Sequence, residues 1–388
     1  MAIETFPDEP ASAWTIKDFD RFLLWARSLD ASDIAFAPGM RGRMRVYGKW
    51  CPVTQGKLET STALMPILLG ITGAADSWAR VIGMEPLDPR YEVPDPEYKW
   101  KRHRFRVNAT ACVDRGETGV ELVLRSIPTT PPTPEEYGLE PELLRALMPE
   151  NGASIVTGKM GSGKSTLLAT VSHEIIRSTD RHMLTYEAPA EFDLMGLNDR
   201  YEESGGFVIQ AEIGRHLASF RDAPINSTRR APDVVIYGEV RDAEQMRGLI
   251  EQGEIGTAVY GTLHTHAVST TPGRLLNVFP EAERDAMRAA LFSSLRVVIQ
   301  QRLPRTVDGR RTAARESLIF DEGMRAELMR THERDLQGVV EEMVQKKGQP
   351  LMRSMEALWR RGTILKSEYE AILAEKSSHQ NVESSDVA

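Results

Sequence analysis

The 388-residue sequence has only two cysteines, Cys51 and Cys112. Two thiols cannot build a disulfide framework or a four-cysteine zinc module, so a reducing, cytoplasmic setting is expected. Long hydrophobic runs are also missing. The longest mostly apolar stretch, Ala63 to Ala75, is interrupted by Pro66 and Gly70 and falls far short of a membrane span. The N-terminal MAIETFPDEP has neither the basic start nor the apolar core of an export signal, so none is expected. Nor is there a basic excess: 48 Lys and Arg face 56 Asp and Glu, a net charge of −8. That argues against a protein coated in nucleic acid, while leaving room for a local basic groove. No repeat of solenoid length occurs. What is present is ordinary globular material, 41% hydrophobic and 27% charged, with length for two domains at roughly 150 residues each.

Residues 1–13, with Pro7 and Pro10, read as flexible. A helix is expected after Thr15, because Thr15 and Asp18 have capping-box spacing and Phe19, Phe22, Leu23, Ala26 and Leu29 follow at helical period. Short strands are expected at Ile34 to Ala37, Arg45 to Tyr47 and Tyr91 to Val93. A longer antiparallel hairpin follows, from Lys99 to Ala111 and Thr118 to Ile127, turning at Asp114-Arg-Gly-Glu117. The fold class is therefore α/β, with a small α/β domain over residues 1–127. The proline-dense Pro128-Thr-Thr-Pro-Pro-Thr-Pro134 opens a semi-rigid linker over 128–140. Beyond it, Ala153 to Thr157, Met183 to Tyr186, Val234 to Tyr237 and Ala258 to Leu263 are short apolar runs partly separated by helical segments. That is the rhythm of a parallel sheet over 141–305, with its active site at the strand C-termini. From about Glu281 the chain reads as mainly helical, giving a C-terminal helical region over 306–376. The last helix is expected to start with Ser367 and Glu370 as its capping box, before a disordered tail over 377–388.

Gly158-Lys-Met-Gly-Ser-Gly-Lys-Ser165 fits the phosphate-loop pattern G-x-x-x-x-G-K-[ST], with a strand before it and a helix after it. Gly158, Gly161 and Gly163 allow backbone N–H groups, that of Ser162 included, to turn inward around phosphate oxygens. Lys164 brings positive charge to the β- and γ-phosphates, Ser165 offers a hydroxyl to Mg2+, and the helix opening through Thr166 adds its N-terminal dipole. Such a loop also needs acidic groups to hold metal-bound water and orient attack. Glu239 ends Asp233-Val-Val-Ile-Tyr-Gly-Glu239 and Glu187 ends another apolar run; Ser165, Glu187 and Glu239 are the candidate Mg2+ set. His264 closes Tyr260-Gly-Thr-Leu-His. A strand-end acid or lone histidine is usually just a solvated or structural side chain. These three stand out because each ends a separate strand on the crest that carries the phosphate loop.

In this order, GKMGSGKST, YEAPAEF, DVVIYGEVRD and GTLHTH resemble the four signature motifs of the secretion-ATPase superfamily of pilus and type II/IV secretion motors. With LDASDI, RFRVNATACV and LRSIPTTPP upstream, the chain is most similar to the Dot/Icm-type (type IVB) secretion ATPases and the TraJ-like ATPases of IncI-type conjugative plasmid transfer. The resemblance covers about Pro7 to Lys376. It implies a PAS-like N-terminal domain joined by the linker to a RecA-like ATPase domain, with ATP bound between them. It further implies a homohexameric ring and hydrolysis coupled to domain rotation. Arg106 and Arg125 would reach nucleotide phosphate, and Arg229 matches a further family arginine; a guanidinium suits such charge. Arg102 and Arg104, by contrast, read as a solvated strand face. A cytoplasmic protein recruited to inner-membrane machinery by protein contacts is implied, with no direct nucleic-acid binding.

Departures from the family pattern refine this. Ala188 replaces an acid of the pilus motors, leaving Glu187 and Glu191; Ile225 replaces an arginine; and Gly323-Met-Arg-Ala-Glu-Leu328 matches the retraction motif poorly. Secretion or conjugation is thereby placed ahead of a pilus-retraction motor. A nucleic-acid-translocating hexamer, using the basic strip from Lys99 to Arg106, and a nucleotide-gated docking ring are the other readings.

Overall fold

A computed structural model describes residues 5–11, 13–46, 48–98, 102–127, 130–240 and 242–385, with side chains through residue 375. Two units form: Met1–Thr130 with Glu191–Gly196, and Pro131–Ala190 with Leu197–Ala388.

In the first unit, α1 (Ile16–Ser28) starts at the expected capping box: Thr15 N donates to Asp18 at 3.0 Å and Asp18 N donates to Thr15 Oγ1 at 3.3 Å. Strands β1 (Asp33–Phe36), β2 (Arg41–Val46), β3 (Lys49–Lys57), β4 (Arg90–Pro94), β5 (Arg102–Asp114) and β6 (Glu117–Ile127) form an antiparallel sheet in the order β3-β2-β1-β6-β5-β4. Alternation along β5 and β6 turns Phe105, Val107, Leu122 and Leu124 into a core shared with Phe19, Phe22 and Leu23, to which α2 (Met65–Thr72) and α3 (Ser77–Ile82) also contribute. The β5–β6 hairpin closes through Arg115 and Gly116, both at positive φ, with Asp114 opposite Glu117.

Two expectations are corrected here, and one strand is added. The segment read as flexible is anchored, since Phe6 is buried and its N–H donates to Val53 O at 2.8 Å. Arg104 is not solvated: it is 9% exposed and pairs with Asp193 at 2.9 Å and Glu92 at 3.1 Å. β3, broken in pattern by Pro52 and Gly56, went unanticipated. Tyr47, Lys99, Trp100, Pro128 and Thr129, which the sequence reading assigned to strands or linker, lie outside the described residues. Cys51 and Cys112 are free and half-buried.

The second unit opens with α4 (Pro134–Tyr137) and α5 (Pro141–Ala146). Its sheet contains β7 (Gly152–Thr157), β8 (His182–Glu187), β9 (Phe207–Glu212), β10 (Val234–Tyr237), β11 (Ala258–Leu263), β12 (Leu295–Arg302) and β13 (Ala314–Ile319), in the order β13-β12-β7-β11-β10-β8-β9. All neighbouring pairs are parallel except β12 with β13. Helices α6 (Lys164–Ser178), α7 (Gly196–Arg200), α8 (Asp222–Thr228), α9 (Ala243–Glu254), α10 (Thr271–Leu276) and α11 (Glu281–Ser294) lie between the strands in sequence. The core gathers Ile155, Tyr186, Val235, Leu249, Val259 and Phe292.

β12 and β13 correct the reading of a mainly helical chain after Glu281. Both are buried along nearly their whole length, so their apolar residues show no period-2 alternation that would separate strand from helix. Helices do follow: α12 (Glu322–Arg330), α13 (Leu336–Lys347), α14 (Leu351–Arg360) and α15 (Lys366–Ser385). α15 begins before Ser367, so Ser367 does not cap it; Glu370 instead pairs with Lys366 at 3.1 Å. Its backbone stays helical to Ser385, past residue 376, where the sequence reading ends the ordered chain.

Candidate functional site

Strand order decides what comes together. Adjacent parallel strands β7, β11, β10 and β8 align Thr157 with Leu263, Gly261 with Tyr237, and Tyr237 with Tyr186. Their C-terminal ends therefore form one edge, carrying the phosphate loop, His264, Glu239 and Glu187 in that order.

The loop itself is shaped by glycine. Gly158, Gly161 and Gly163 have φ of 144°, 74° and 83°, conformations that L side chains rarely adopt. A Cβ at Gly158 would also lie 2.5 Å from Gln301 O and from Ser162 Oγ. Lys164 opens α6 and is only 9% exposed; its Nζ donates to Gly158 O at 2.9 Å and Lys159 O at 3.3 Å. The ammonium thus closes over the mouth of its own loop. Ser162 Oγ is buried with no hydrogen-bond partner among the described residues. A tight cradle of N–H groups, one buried cation and an unsatisfied hydroxyl fit a polyphosphate. Ser165 and Thr166 occupy the first turn of α6.

Glu187 is held in place. Thr185 Oγ1 and Gln210 Nε2 each donate to its Oε1 at 2.8 Å. Gly238 N donates to Tyr186 O at 2.8 Å, and a Cβ there would meet Glu187 Cα at 3.2 Å, so a larger residue would crowd the close approach of the two strand ends. The next residue, Glu239, has Oε1 3.4 Å from His264 Nε2. Among the described residues no cluster of three or more His, Cys, Asp or Glu could hold a metal. The Ser165 hydroxyl and the separate carboxylates of Glu187 and Glu239 are oxygen donors of the type Mg2+ takes. Arg229 is exposed at the C-terminal end of α8.

In the first unit, Arg106 and Arg125 are directly opposed across β5 and β6. Arg106 is exposed, and Arg125, 67% exposed along its side chain, donates to Asp33 Oδ1 at 2.9 Å.

Sequence reasoning missed several supporting residues. Buried Glu212, aligned with Glu187, accepts from Ala190 N at 3.0 Å and anchors the start of the following loop. Glu375 on α15 accepts from Lys159 of the phosphate loop at 2.7 Å and from Arg302 at 2.5 Å, which holds its carboxyl down at about 2. The contacts with Lys159 and Arg302 join residues far apart in sequence, so no local spacing could signal them.

The family model described as "Type II/IV secretion system protein" matches residues 99–366. A twitching motility protein of Neisseria gonorrhoeae is 34% identical over 262 residues, 67% of each chain. The X-ray structure of the ATPase DotB of Legionella pneumophila superposes with a TM-score of 0.84 at 36% identity, covering 96% of this chain and 99% of that one. The pilus retraction motor PilT with bound ADP gives a TM-score of 0.76 at 27% identity, covering 90% of this chain and 95% of that one.

Proposed function

We propose that this chain, which belongs to the type II/IV secretion system protein family, is the Mg2+-dependent homohexameric ATPase that powers a type IVB secretion or conjugative DNA-transfer apparatus. Membership in the family makes it an ATP hydrolase; the apparatus, the ring and the metal are the finer reading. The observation that carries it is the single sheet edge on which the phosphate loop, His264, Glu239 and Glu187 follow one another. Likeness to DotB over 96% of the chain supports the type IVB assignment.

Lys164 and the loop amides would bind the β- and γ-phosphates, and Ser165, with Glu187 and Glu239 acting directly or through water, would hold Mg2+. The bound ion supplies neutralisation and orientation of phosphate oxygens. Glu187 and Glu239 would also orient the attacking water, and His264 would steady Glu239. Arg106, Arg125 and Arg229 would stabilise charge on the transferred phosphoryl group. Turnover would be coupled to rotation at the 128–134 linker. No described helix is long and apolar enough to cross a membrane, consistent with recruitment from the cytoplasm to inner-membrane machinery by protein contacts.

A pilus-retraction motor is the second reading, supported by the likeness to PilT and to a twitching motility protein. Deleting the gene in its host and restoring it as wild type or Lys164→Ala distinguishes them. Loss of effector or plasmid transfer, restored only by wild type, supports the proposal. Loss of twitching with transfer intact favours retraction. Turnover of the assembled ring stimulated by single-stranded DNA would point to nucleic-acid translocation instead.

A further inference from the structure

Behind the phosphate loop lies a buried polar network that none of the signature motifs contains. Gln301, on β12, is 0% exposed, and its Nε2 donates both hydrogens: to Ser162 O at 2.8 Å and to Tyr137 Oη at 2.9 Å. Tyr137, the last residue of α4, passes its own hydrogen to Gly163 O at 3.3 Å. Burial pushes the Tyr137 phenol above its ordinary range, so it stays a donor at neutral pH. Arg315 on β13 stands directly opposite Gln301 and is 2% exposed. Its Nε donates to Gln301 Oε1 at 3.0 Å, its Nη1 donates to Gly138 O at 3.2 Å and Glu140 Oε2 at 2.9 Å, and its guanidinium lies 5.1 Å from the Tyr137 ring centre.

The chemistry of these groups fixes their orientation. A guanidinium only donates, so Arg315 obliges Gln301 to present its oxygen to β13 and its NH2 to the loop. In a planar trans peptide the C=O and the following N–H point to opposite sides. Holding Ser162 O toward Gln301 therefore aims the Gly163 amide away from Gln301. Holding Gly163 O toward Tyr137, where Leu167 N also donates at 3.0 Å, aims the Lys164 amide in the same manner. These are amides that a phosphate loop turns on its anion, and the glycine at 163 has no side chain to resist a flip.

We propose that Gln301 and Tyr137 are positioning residues that preset the Gly163 and Lys164 amides for nucleotide phosphate, with Arg315 setting the orientation of Gln301. The proposal rests on the reading of Gly158–Ser165 as the nucleotide site. It makes α4, which lies within residues 128–140, part of the phosphate-loop support, so that this segment bears on nucleotide affinity.

The test uses the full-length assembled protein, four single variants (Gln301→Met, Tyr137→Phe, Arg315→Leu and Lys164→Ala) and the Gln301→Met/Arg315→Leu double variant. ADP affinity is read by calorimetry, and KM and kcat for ATP by phosphate release, with thermal melting alongside. Gln301→Met should weaken ADP binding and raise KM by about tenfold, Tyr137→Phe by about threefold, with kcat changing less than either, as expected when preset ground-state binding is lost. Arg315→Leu should reproduce the Gln301→Met shift and add nothing in the double variant. A merely structural role would lower the melting temperature and the active fraction and leave KM and ADP affinity unchanged; that result overturns the proposal. Tyr137→Phe keeps the ring and decides the matter if Gln301→Met does not fold. Undiminished ADP binding and turnover in Lys164→Ala would instead overturn the underlying assignment of the nucleotide site.

Discussion

Arg106 on β5 is the direct cross-strand partner of Arg125 on β6, and the next position outward on each side extends the row to Arg90 on β4 and Asp33 on β1. Like charges directly opposed in a sheet are unfavourable. Asp33 relieves Arg125 at 2.9 Å, and Arg106 remains exposed. On the proposed function, the anion this pair would meet is nucleotide phosphate. Arg106→Ala is expected to cut kcat for ATP by at least about a hundredfold while the melting temperature holds or rises. Arg106→Lys should recover little, because an ammonium lacks the planar fork. Steady-state kinetics and thermal melting check both.

Glu239→Gln is expected to separate binding from turnover. The amide keeps the size of the side chain but loses the carboxylate's charge and basicity, so turnover should fall by about a hundredfold or more while ADP affinity stays within about threefold. Calorimetry and phosphate release measure the two. Full complementation of the host function by this variant would favour a nucleotide-gated docking ring over a motor.

Arg104 is a structural cation, buried with Asp193 at 2.9 Å and Glu92 at 3.1 Å. Burial raises the Asp193 carboxyl more than Arg104 lowers it, so the pair is costly to form and costly to break. Asp193→Ala leaves Arg104 with less compensation and should destabilise the protein by about 2–4 kcal/mol in urea denaturation. Arg102→Ala, on an exposed position of the same strand, should cost under about 0.5 kcal/mol.

The contact of Glu375 with Lys159 and Arg302 should depend on pH. Hydrogen bonding from Arg302, then from Lys159, lowers the Glu375 carboxyl from 4.5 to about 2. Its contribution is therefore complete above pH 4.5 and is lost as pH falls from there toward about 2. Glu375→Gln at neutral pH should mimic the acid form, with faster amide exchange in α15 around position 375 measured by mass spectrometry.

Legibility followed sequence separation. The capping box at Thr15 and Asp18, the β5–β6 hairpin and the phosphate loop are local patterns, and each was readable. β12 and β13 were not, because largely buried strands carry no distinctive period. The site divides along the same line. Strand-end residues Glu187, Glu239 and His264 could be found from motif order. Gln210, which holds Glu187, and Gln301 and Arg315, which back the loop, touch it only once the sheet has formed. Arg104 was misread because its counterion Asp193 lies 89 positions away in the chain, although its strand alternates as an exposed face would.

Phosphate release by the assembled protein with ATP and Mg2+, compared across wild type, Lys164→Ala and Glu239→Gln, tests the central claim most directly. Turnover in wild type alone, with ADP still bound by Glu239→Gln, is the predicted result. Equal turnover in all three would contradict the assignment of this sheet edge as the site of hydrolysis.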